Sequence, residues 1–260
     1  MTTALITGAS SGIGAVFAEK LAASNHDLVL VARSQDKLQA LAAQLTQQYG
    51  IQAIVIAQDL TAADGPKLVW DQLEQQNIEV DVLINNAGYG TYGEFATGEL
   101  DNHLSMIQLN VMALVELAHR GLQGMKARET GSIVNIGSTA SFQSLPYLGV
   151  YAATKAFVLS FSEALWQECK PYGVKVLAVC PGPTETEFFK VAQFPASLGE
   201  SVGANYASPE AVVDEALKAL AKGQSNVVTG GMMNQFLVNA GRFLPREAVV
   251  NAVGKMFKGD

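Results

Sequence analysis

Two side chains that could perform acid–base chemistry together are Tyr151 and Lys155, which lie four residues apart in a stretch with a helical pattern. Side chains at this spacing share one face of a helix, so the phenol and the ammonium group can act together. A phenol is a poor acid or base at neutral pH, and a neighbouring ammonium group lowers its pKa by stabilising the phenolate. We therefore predict that Tyr151 is a general acid/base supported by Lys155. Such pairs are common on protein surfaces, so the assignment depends on the motifs that accompany this one.

Ser138 is a third candidate for the same chemistry. It follows an apolar run over 132–136 that predicts a β-strand. A hydroxyl group at the end of a strand can hydrogen-bond the oxygen of a reacting carbonyl group. We predict that Ser138 orients the substrate beside Tyr151.

A glycine-rich turn lies near the N-terminus, between a predicted strand at 4–7 and a predicted helix at 15–23. Glycines let the backbone approach a pyrophosphate closely, and the free N–H groups at the start of the helix stabilise its charge. The chain lacks the Gly-Lys-Ser/Thr ending of a Walker-type loop. Ordinary turn residues are the alternative interpretation. The predicted phosphate-binding residues are Gly8, Ser10, Ser11, Gly12, Ile13 and Gly14.

The end of the second predicted strand indicates which dinucleotide the turn would serve. An acidic residue there favours NAD, whereas this chain has Ala32 followed by Arg33 and Ser34. The Arg33 guanidinium group can bind a 2′-phosphate, so we predict NADP(H) as the cofactor. The alternative is a solvated arginine. Asp59 and Leu60, after the third strand, are predicted to border the adenine, although an aspartate there is also a common turn or cap residue.

Short apolar runs alternate with longer amphipathic stretches along the chain, which is typical of βα units around a parallel sheet. Most runs are continuously apolar, as expected for strands covered on both faces. We therefore predict an α/β, Rossmann-like doubly wound fold with a seven-stranded parallel sheet and helices on both faces. Residues 1–260 are predicted to be one domain, with a substrate lid at 184–208 and a helical tail at 232–260. The predicted strands are 4–7, 28–31, 53–57, 80–84, 132–136, 174–179 and 226–229.

The composition narrows the class of protein. With 49% hydrophobic and 16% charged residues among 260, the chain is neither disordered, collagen-like nor a coiled coil. A net charge of −7 argues against a nucleic-acid binder and favours small-molecule partners.

Two cysteines and three histidines without metal-ligand spacing predict neither a disulfide nor a metal site. No leader pattern follows Met1 and no segment approaches the ~20 apolar residues that span a bilayer, so we expect a cytoplasmic protein without an integral membrane segment.

In chain order, six motifs resemble those of the short-chain dehydrogenase/reductase family, in its short branch, along nearly the whole chain. The resemblance implies that Tyr151 donates a proton to a carbonyl oxygen, that Ser138 binds this oxygen, and that Lys155 holds the nicotinamide ribose. It also implies that Asn110 holds a water molecule of a proton relay, although on the residues alone Asn110 could equally be a polar residue that kinks a helix. The motifs are Thr7-Gly8-x-x-x-Gly12-x-Gly14, Asn85-Asn86-Ala87-Gly88, Asn110, Ser138, Tyr151-x-x-x-Lys155 and Pro181-Gly182.

The resemblance also assigns further cofactor contacts. It implies that Asn86, Ala87 and Gly88 form a wall beside the adenosine ribose, and that Pro181 and Gly182 bend beneath the nicotinamide. Thr184 and Thr186 follow as further contacts, Thr186 with the carboxamide. Relatives with an arginine at the place of Arg33 resemble NADP-preferring enzymes, in agreement with the physical argument.

Apolar residues dominate the segments expected to border the nicotinamide, and no arginine cluster suggests an acidic substrate. We therefore predict an apolar ketone or aldehyde substrate, or the corresponding alcohol. The alternative for any one of these residues is that it closes the core beneath the lid. The predicted pocket residues are Tyr89, Phe142, Leu145, Tyr147 and Phe188, with Tyr92, Phe189, Val191 and Phe194 nearby.

The helix that contains Tyr151 is apolar nearly all round, which predicts that one of its faces packs against a second subunit. We expect a homodimer or homotetramer. The tail at 232–260 could cover the substrate site or extend an oligomer contact, and weak binding to a membrane surface is a further alternative.

These observations favour an NADP-dependent carbonyl reductase or alcohol dehydrogenase. One alternative is the same chemistry on a 3-oxoacyl thioester or a hydroxysteroid. An alternative of another class is a non-catalytic NADP(H)-binding sensor, because a fold does not imply a function.

Overall fold

A computed structural model describes residues 2–195 and 206–258 of the chain. Its centre is a seven-stranded sheet in which all neighbouring strands are parallel, in the order β3-β2-β1-β4-β5-β6-β7. This confirms the predicted Rossmann-like doubly wound sheet. The strands are β1 (Thr3–Thr7), β2 (Asp27–Ala32), β3 (Ala53–Ala57), β4 (Val82–Asn85), β5 (Gly131–Ile136), β6 (Val174–Pro181) and β7 (Asn226–Thr229).

Helices cover both faces of this sheet. A π-helical segment (Gln108–Ala113) joins α4 to α5, and short 3₁₀ turns occur at Thr139–Phe142, Lys170–Tyr172 and Gly241–Phe243. The helices are α1 (Gly12–Ala23), α2 (Gln35–Tyr49), α3 (Gly65–Gln75), α4 (Leu100–Ile107), α5 (Leu114–Ala127), α6 (Gly149–Cys169), α7 (Phe188–Val191), α8 (Pro209–Ala221), α9 (Met232–Ala240) and α10 (Arg246–Phe257).

Most strand positions are apolar because the strands bury side chains in two cores, one on each face of the sheet. Successive side chains of a strand point to opposite faces of the sheet. In β1, Ile6 packs in the same cluster as Phe17 of α1, whereas Leu5 packs in the cluster that contains Val69 of α3. All four side chains are fully buried. A polar residue at any of these positions would lack a partner in either core.

The position of the functional site follows from the strand order. The order reverses at β1, which lies between β2 and β4, so a crevice opens beyond the carboxyl ends of these strands. Thr7, the last residue of β1, connects this strand to the loop after β4. Its hydroxyl accepts hydrogen bonds of 3.0 Å from the N–H groups of Asn86 and Ala87. The Asn86 side-chain amide in turn donates to the Thr7 carbonyl oxygen at 3.0 Å. The loop after β4 is therefore held directly beside the glycine turn.

The predicted bounds of β3 and β7 agree with the structure, whereas the other strands differ from their predicted bounds by one or two residues at one end or at both. The first helix begins at Gly12 rather than at residue 15, because the glycine turn itself forms the first helical turn. Strand β4 begins at Val82 rather than at residue 80. Of the predicted lid, 184–195 and 206–208 are described and contain α7, whereas 196–205 lie outside the described residues. The assignment of the whole chain to one domain stays a prediction.

In the part of the chain that the structure describes, every helix is too short or too polar to cross a membrane.

Candidate active site

One cavity of about 770 Å³ runs along the carboxyl edge of the sheet and brings together nearly all the residues predicted for catalysis and cofactor binding. It extends from the end of β2, past β1 and β5, to the segment after β6. Gly14 lies beneath the glycine turn instead of on the cavity wall, and Asn110 lies behind the wall. The predicted residues that line it are Gly8, Ser10, Ser11, Gly12, Ile13, Arg33, Ser34, Asp59, Leu60, Asn86, Ala87, Gly88, Ser138, Tyr151, Lys155, Pro181, Gly182, Thr184 and Thr186.

The glycine turn has the geometry that a bound phosphate requires. Gly8 and Gly12 have φ values of +65° and +55°, in the left-handed region that favours glycine. A Cβ atom on Gly14 would collide with the carbonyl oxygen of Gly8, so this glycine permits the close contact between turn and helix. Ser11, at the N-terminus of α1, makes no side-chain cap. The N–H groups of the first helical turn can therefore bind an anion at the positive end of the helix. The residues present fit a dinucleotide pyrophosphate.

At the opposite end of the cavity, Arg33 and Asp59 follow β2 and β3. The Asp59 carboxylate accepts hydrogen bonds from the Thr61 N–H group at 2.9 Å and the Thr61 hydroxyl at 2.8 Å. Burial raises the pKa of Asp59, but these hydrogen bonds and the charge of Arg33 outweigh burial, so the pKa lies below its ordinary value. Asp59 is thus an ionised residue fixed on its own loop, while the exposed Arg33 side chain is available to a phosphate group.

Tyr151 lies in the first turn of α6, and its side chain is almost fully buried. Burial raises the pKa of its phenol to about 12, although a hydrogen bond with the Ser138 side chain opposes the shift. The Ser138 hydroxyl is itself positioned by the N–H group of Ala140, which donates to it at 3.1 Å. The two hydroxyl groups therefore meet at the carboxyl end of β5, and the phenol carries its proton at neutral pH.

Lys155 lies one helical turn beyond Tyr151, with its Nζ atom 5.8 Å from the centre of the tyrosine ring. Nζ donates a hydrogen bond of 2.7 Å to the carbonyl oxygen of Ile136. Burial lowers the pKa of the ammonium group to about 8. In the cofactor-free chain the burial of the phenol dominates the pKa of Tyr151. That Lys155 lowers this pKa when the cofactor is bound stays a prediction.

Asn110 occupies the π-helical segment between α4 and α5, and its side chain is buried. Its amide donates to the Tyr89 carbonyl oxygen at 2.9 Å and to the Thr154 hydroxyl at 3.1 Å, and its oxygen accepts from the Tyr89 N–H group at 3.1 Å. A Cβ atom on Gly88 would lie 3.0 Å from this oxygen and 3.4 Å from Lys155 Nζ. Asn110 thus joins the irregular helix to the loop after β4, directly behind the cavity wall.

The remaining part of the cavity is lined by aromatic and aliphatic side chains. Phe188 lies against Tyr151, with ring centres 5.1 Å apart, and Phe189 and Phe194 extend the aromatic wall. Tyr89 and Leu145 also line the cavity, as predicted.

Two predicted pocket residues lie outside the cavity lining that the structure describes. Phe142 packs instead in a core cluster with Leu159 and Cys180, beneath β7. Tyr147 has a φ of +66° and stacks on Tyr92, with ring centres 5.8 Å apart, so its ring supports the loop from behind. In both cases the side chain packs against residues of other segments, which the sequence pattern does not identify.

Phe257 is a cavity residue that the sequence analysis missed. It lies at the end of α10 and contributes to the wall, although it is more than 100 residues away from Tyr151 and Lys155 in the chain. The amphipathic pattern of the tail indicated a helix that packs on the body of the protein, but a pattern does not identify the surface on which it packs.

The segment after β6, where a lid is predicted, approaches the glycine turn closely. A Cβ atom on Gly12 would lie 3.1 Å from the Thr186 methyl group. The Thr186 hydroxyl accepts a hydrogen bond of 3.3 Å from the Phe188 N–H group, which fixes the start of α7. The segment after β6 therefore crosses the cavity between its phosphate-binding and aromatic parts.

The two cysteines are free and buried. Burial raises the pKa of the Cys180 thiol to about 12, so it is not a thiolate at neutral pH. Within residues 2–195 and 206–258, His, Cys, Asp and Glu side chains form no group of three that could hold a metal ion.

The chain is similar to known dehydrogenases and reductases. A family model described as short chain dehydrogenase matches residues 2–194. The 7beta-hydroxysteroid dehydrogenase of Collinsella aerofaciens is 30% identical over 227 residues, which cover 87% of this chain and 85% of that protein. The very-long-chain 3-oxoacyl-CoA reductase of Anas platyrhynchos is 31% identical over 261 residues, or 98% of this chain and 80% of that protein. The structure of a short-chain dehydrogenase from Sphingobium yanoikuyae in complex with NADPH matches with a TM-score of 0.83 and 34% identity, covering 96% of this chain and 95% of that one.

Proposed function

The chain belongs to the short-chain dehydrogenase/reductase family of oxidoreductases, and from this premise we propose that it uses NADP(H) to interconvert an apolar ketone or aldehyde with the corresponding alcohol. The observation that carries the proposal is the meeting of Tyr151, Ser138 and Lys155 with the glycine turn in one cavity. This shared cavity argues against the alternative that Tyr151 and Lys155 are an ordinary tyrosine–lysine pair on the protein surface.

The phosphate-binding end supports NADP(H) as the cofactor. We propose that the first turn of α1 binds the pyrophosphate, and that Arg33 binds the 2′-phosphate through a charge-assisted hydrogen bond. Ala32 places no carboxylate there to repel it. The structure of the Sphingobium yanoikuyae relative in complex with NADPH supports the choice of NADP(H). When bound, the cofactor supplies or accepts the hydride.

The residues of the chain supply orientation and proton transfer. In the direction of reduction, the Tyr151 hydroxyl donates its proton to the carbonyl oxygen, and the Ser138 hydroxyl donates a hydrogen bond to the same oxygen. A pKa of about 12 keeps Tyr151 protonated before the reaction. Lys155, anchored on the Ile136 carbonyl, is the cation beside the phenolate that remains and would also hold the nicotinamide ribose.

The aromatic part of the cavity supports an apolar substrate. Phe188, Phe189 and Phe194 offer ring surface beside Tyr151, where the reacting carbon must lie. The cationic side chains in the described lining are Arg33 and Lys155, and both are assigned to the cofactor. A hydroxysteroid is therefore the second candidate substrate, ahead of a 3-oxoacyl-CoA thioester, whose phosphates need additional cations.

The experiment follows NADPH oxidation by absorbance with a panel of apolar ketones, aldehydes, oxosteroids and 3-oxoacyl esters. We expect turnover of apolar carbonyl compounds, and a loss of at least about 100-fold in kcat in Tyr151→Phe, since general acid catalysis contributes on this scale. NADPH affinity should remain within about twofold. Tyr49→Phe, on α2, is the matched control.

Two outcomes contradict the proposal. Undiminished turnover in Tyr151→Phe excludes this residue as the proton donor. Tight NADPH binding without turnover of any panel compound favours the non-catalytic sensor instead.

A further inference from the structure

The two C-terminal helices α9 and α10 and their connection expose large apolar side chains to an extent that a folded chain ordinarily avoids. Their exposed fractions range from 56% to 88%. We define the tail surface by these residues: Met232, Met233, Phe236, Leu237, Phe243, Leu244 and Met256.

The amphipathicity of α9 is inverted. Its buried face carries Asn234 and Val238. Asn234 donates to the carbonyl oxygens of Thr229 and Gly230 at 3.0 and 3.2 Å. The opposite face carries two methionines, Phe236 and Leu237 at helical spacing. The more apolar face therefore points outward, so the burial of α9 in the fold does not explain its apolar residues.

Both helices also adjoin the cavity. The Asn234 amide lies so close to Gly182, a cavity residue, that a Cβ atom there would collide with it. In α10, Phe257 lines the cavity, whereas its neighbour Met256 belongs to the tail surface. The tail surface is thus the outside of elements whose inside borders the proposed substrate path.

The charge of the tail is opposite to that of the remaining chain. Residues 1–231 contain 13 basic and 22 acidic residues, for a net charge of −9. Residues 232–260 have a net charge of +2, from the basic residues Arg242, Arg246, Lys255 and Lys258 and the acidic residues Glu247 and Asp260. Screening limits electrostatic fields to about 8 Å at physiological salt. An anionic surface that approaches the tail is therefore attracted by the exposed Arg246, Lys255 and Lys258.

We propose that the tail surface docks onto an anionic lipid surface. Exposed methionine, phenylalanine and leucine side chains enter the boundary between headgroups and acyl chains, while flanking lysines bind the headgroups. A second copy of the chain fits less well, because a twofold interface would place the two positive tails against each other. Docking would bring an apolar substrate from the lipid phase to the cavity.

The test uses the full-length protein and sedimentation with vesicles of phosphatidylcholine, with and without phosphatidylserine. We expect binding to the vesicles that contain phosphatidylserine, and a partition coefficient about tenfold lower for Phe236→Gln. Lys255→Gln and Lys258→Gln should each lower binding about fivefold. Phe95→Gln is the matched control, because Phe95 and Phe236 have exposed fractions of 68% and 67% but Phe95 lies outside the tail. Thermal unfolding of each variant verifies that it is folded.

Several results would overturn the proposal. One is the absence of binding to phosphatidylserine vesicles at low salt. Another is vesicle binding by Phe236→Gln that equals that of the wild type. A third is a loss of vesicle binding in Phe95→Gln as large as the loss in Phe236→Gln. If Phe236→Gln instead dissociates an oligomer of a protein that binds no vesicles, the tail surface is an interface between copies of the chain.

Discussion

The Tyr92 hydroxyl donates a hydrogen bond of 2.6 Å to the backbone carbonyl oxygen of Phe257, 165 residues further along the chain. The bond holds the end of α10 against the loop after β4, where Phe257 completes the cavity wall beside Phe194, with ring centres 6.4 Å apart. The C-terminal helix is therefore part of the cavity. This contact leads to the first prediction, which rests on the proposed function.

Phe257→Ala should raise KM for large apolar substrates by about tenfold, because it removes one aromatic contact at the far end of the cavity. Small ketones that reach only Tyr151 should keep their KM, and the NADPH dissociation constant should not change. Tyr92→Phe should raise KM in the same direction by a smaller factor. Steady-state kinetics across substrates of increasing size measure the effect. Met256→Ala, at an exposed neighbouring position, is the control, and an equal rise of KM for small and large substrates would contradict the prediction.

Arg33→Ala should weaken NADPH binding by about 10- to 100-fold, as expected for the loss of a hydrogen bond between charged groups. NADH binding should not change, because NADH lacks the 2′-phosphate. Fluorescence titration with both cofactors measures the difference. Arg120→Ala removes an arginine that pairs with Glu116 on the surface of α5 and is the matched control. Parallel losses for NADPH and NADH in Arg33→Ala would exclude a specific contact with the 2′-phosphate.

The burial of Lys155 should make the stability of the cofactor-free protein depend on pH. Its pKa falls from 10.5 to about 8 on folding, so between these values the unfolded state binds more protons than the folded state. The destabilisation is fully present below about pH 8 and is relieved as the pH approaches 10.5. The free energy of unfolding of the wild type, relative to Lys155→Met, should therefore rise by up to about 3 kcal/mol over this range. Urea unfolding of both proteins between about pH 7 and pH 10 measures these free energies. If the difference between wild type and Lys155→Met does not change with pH, the prediction of a buried ammonium group is wrong.

Exposed apolar side chains on α4, the π-helical segment and α6 favour the predicted homo-oligomer. Leu104, Ile107, Met112 and Phe157 have exposed fractions of 39% to 56% in the single chain. We expect a dimer or tetramer in light scattering, and Phe157→Glu should shift it toward the monomer, because a buried unpaired charge opposes association. Leu68→Glu is the matched control, with an exposed fraction of 39% against 41% for Phe157. A wild-type monomer at micromolar concentration would contradict the prediction.

Local patterns were sufficient to predict the sheet and the main chemical motifs. The apolar run at 28–31 lies within β2 because a strand buried on both faces is apolar at most positions. The glycine turn was predictable because phosphate binding constrains residues that are adjacent in sequence. Tyr151 and Lys155 were predictable as a pair because one helical turn places them on the same face.

The sequence by itself thus determined the fold class, the family and most of the motif residues that line the cavity. The tertiary structure alone decided that Phe142 and Tyr147 lie outside the cavity lining, that Phe257 enters it, and that the pKa of Tyr151 rises. The physical reason is that side-chain direction and burial depend on contacts between segments distant in the chain. Periodicity within one segment reports its own buried face, but it does not identify the surface against which that face packs.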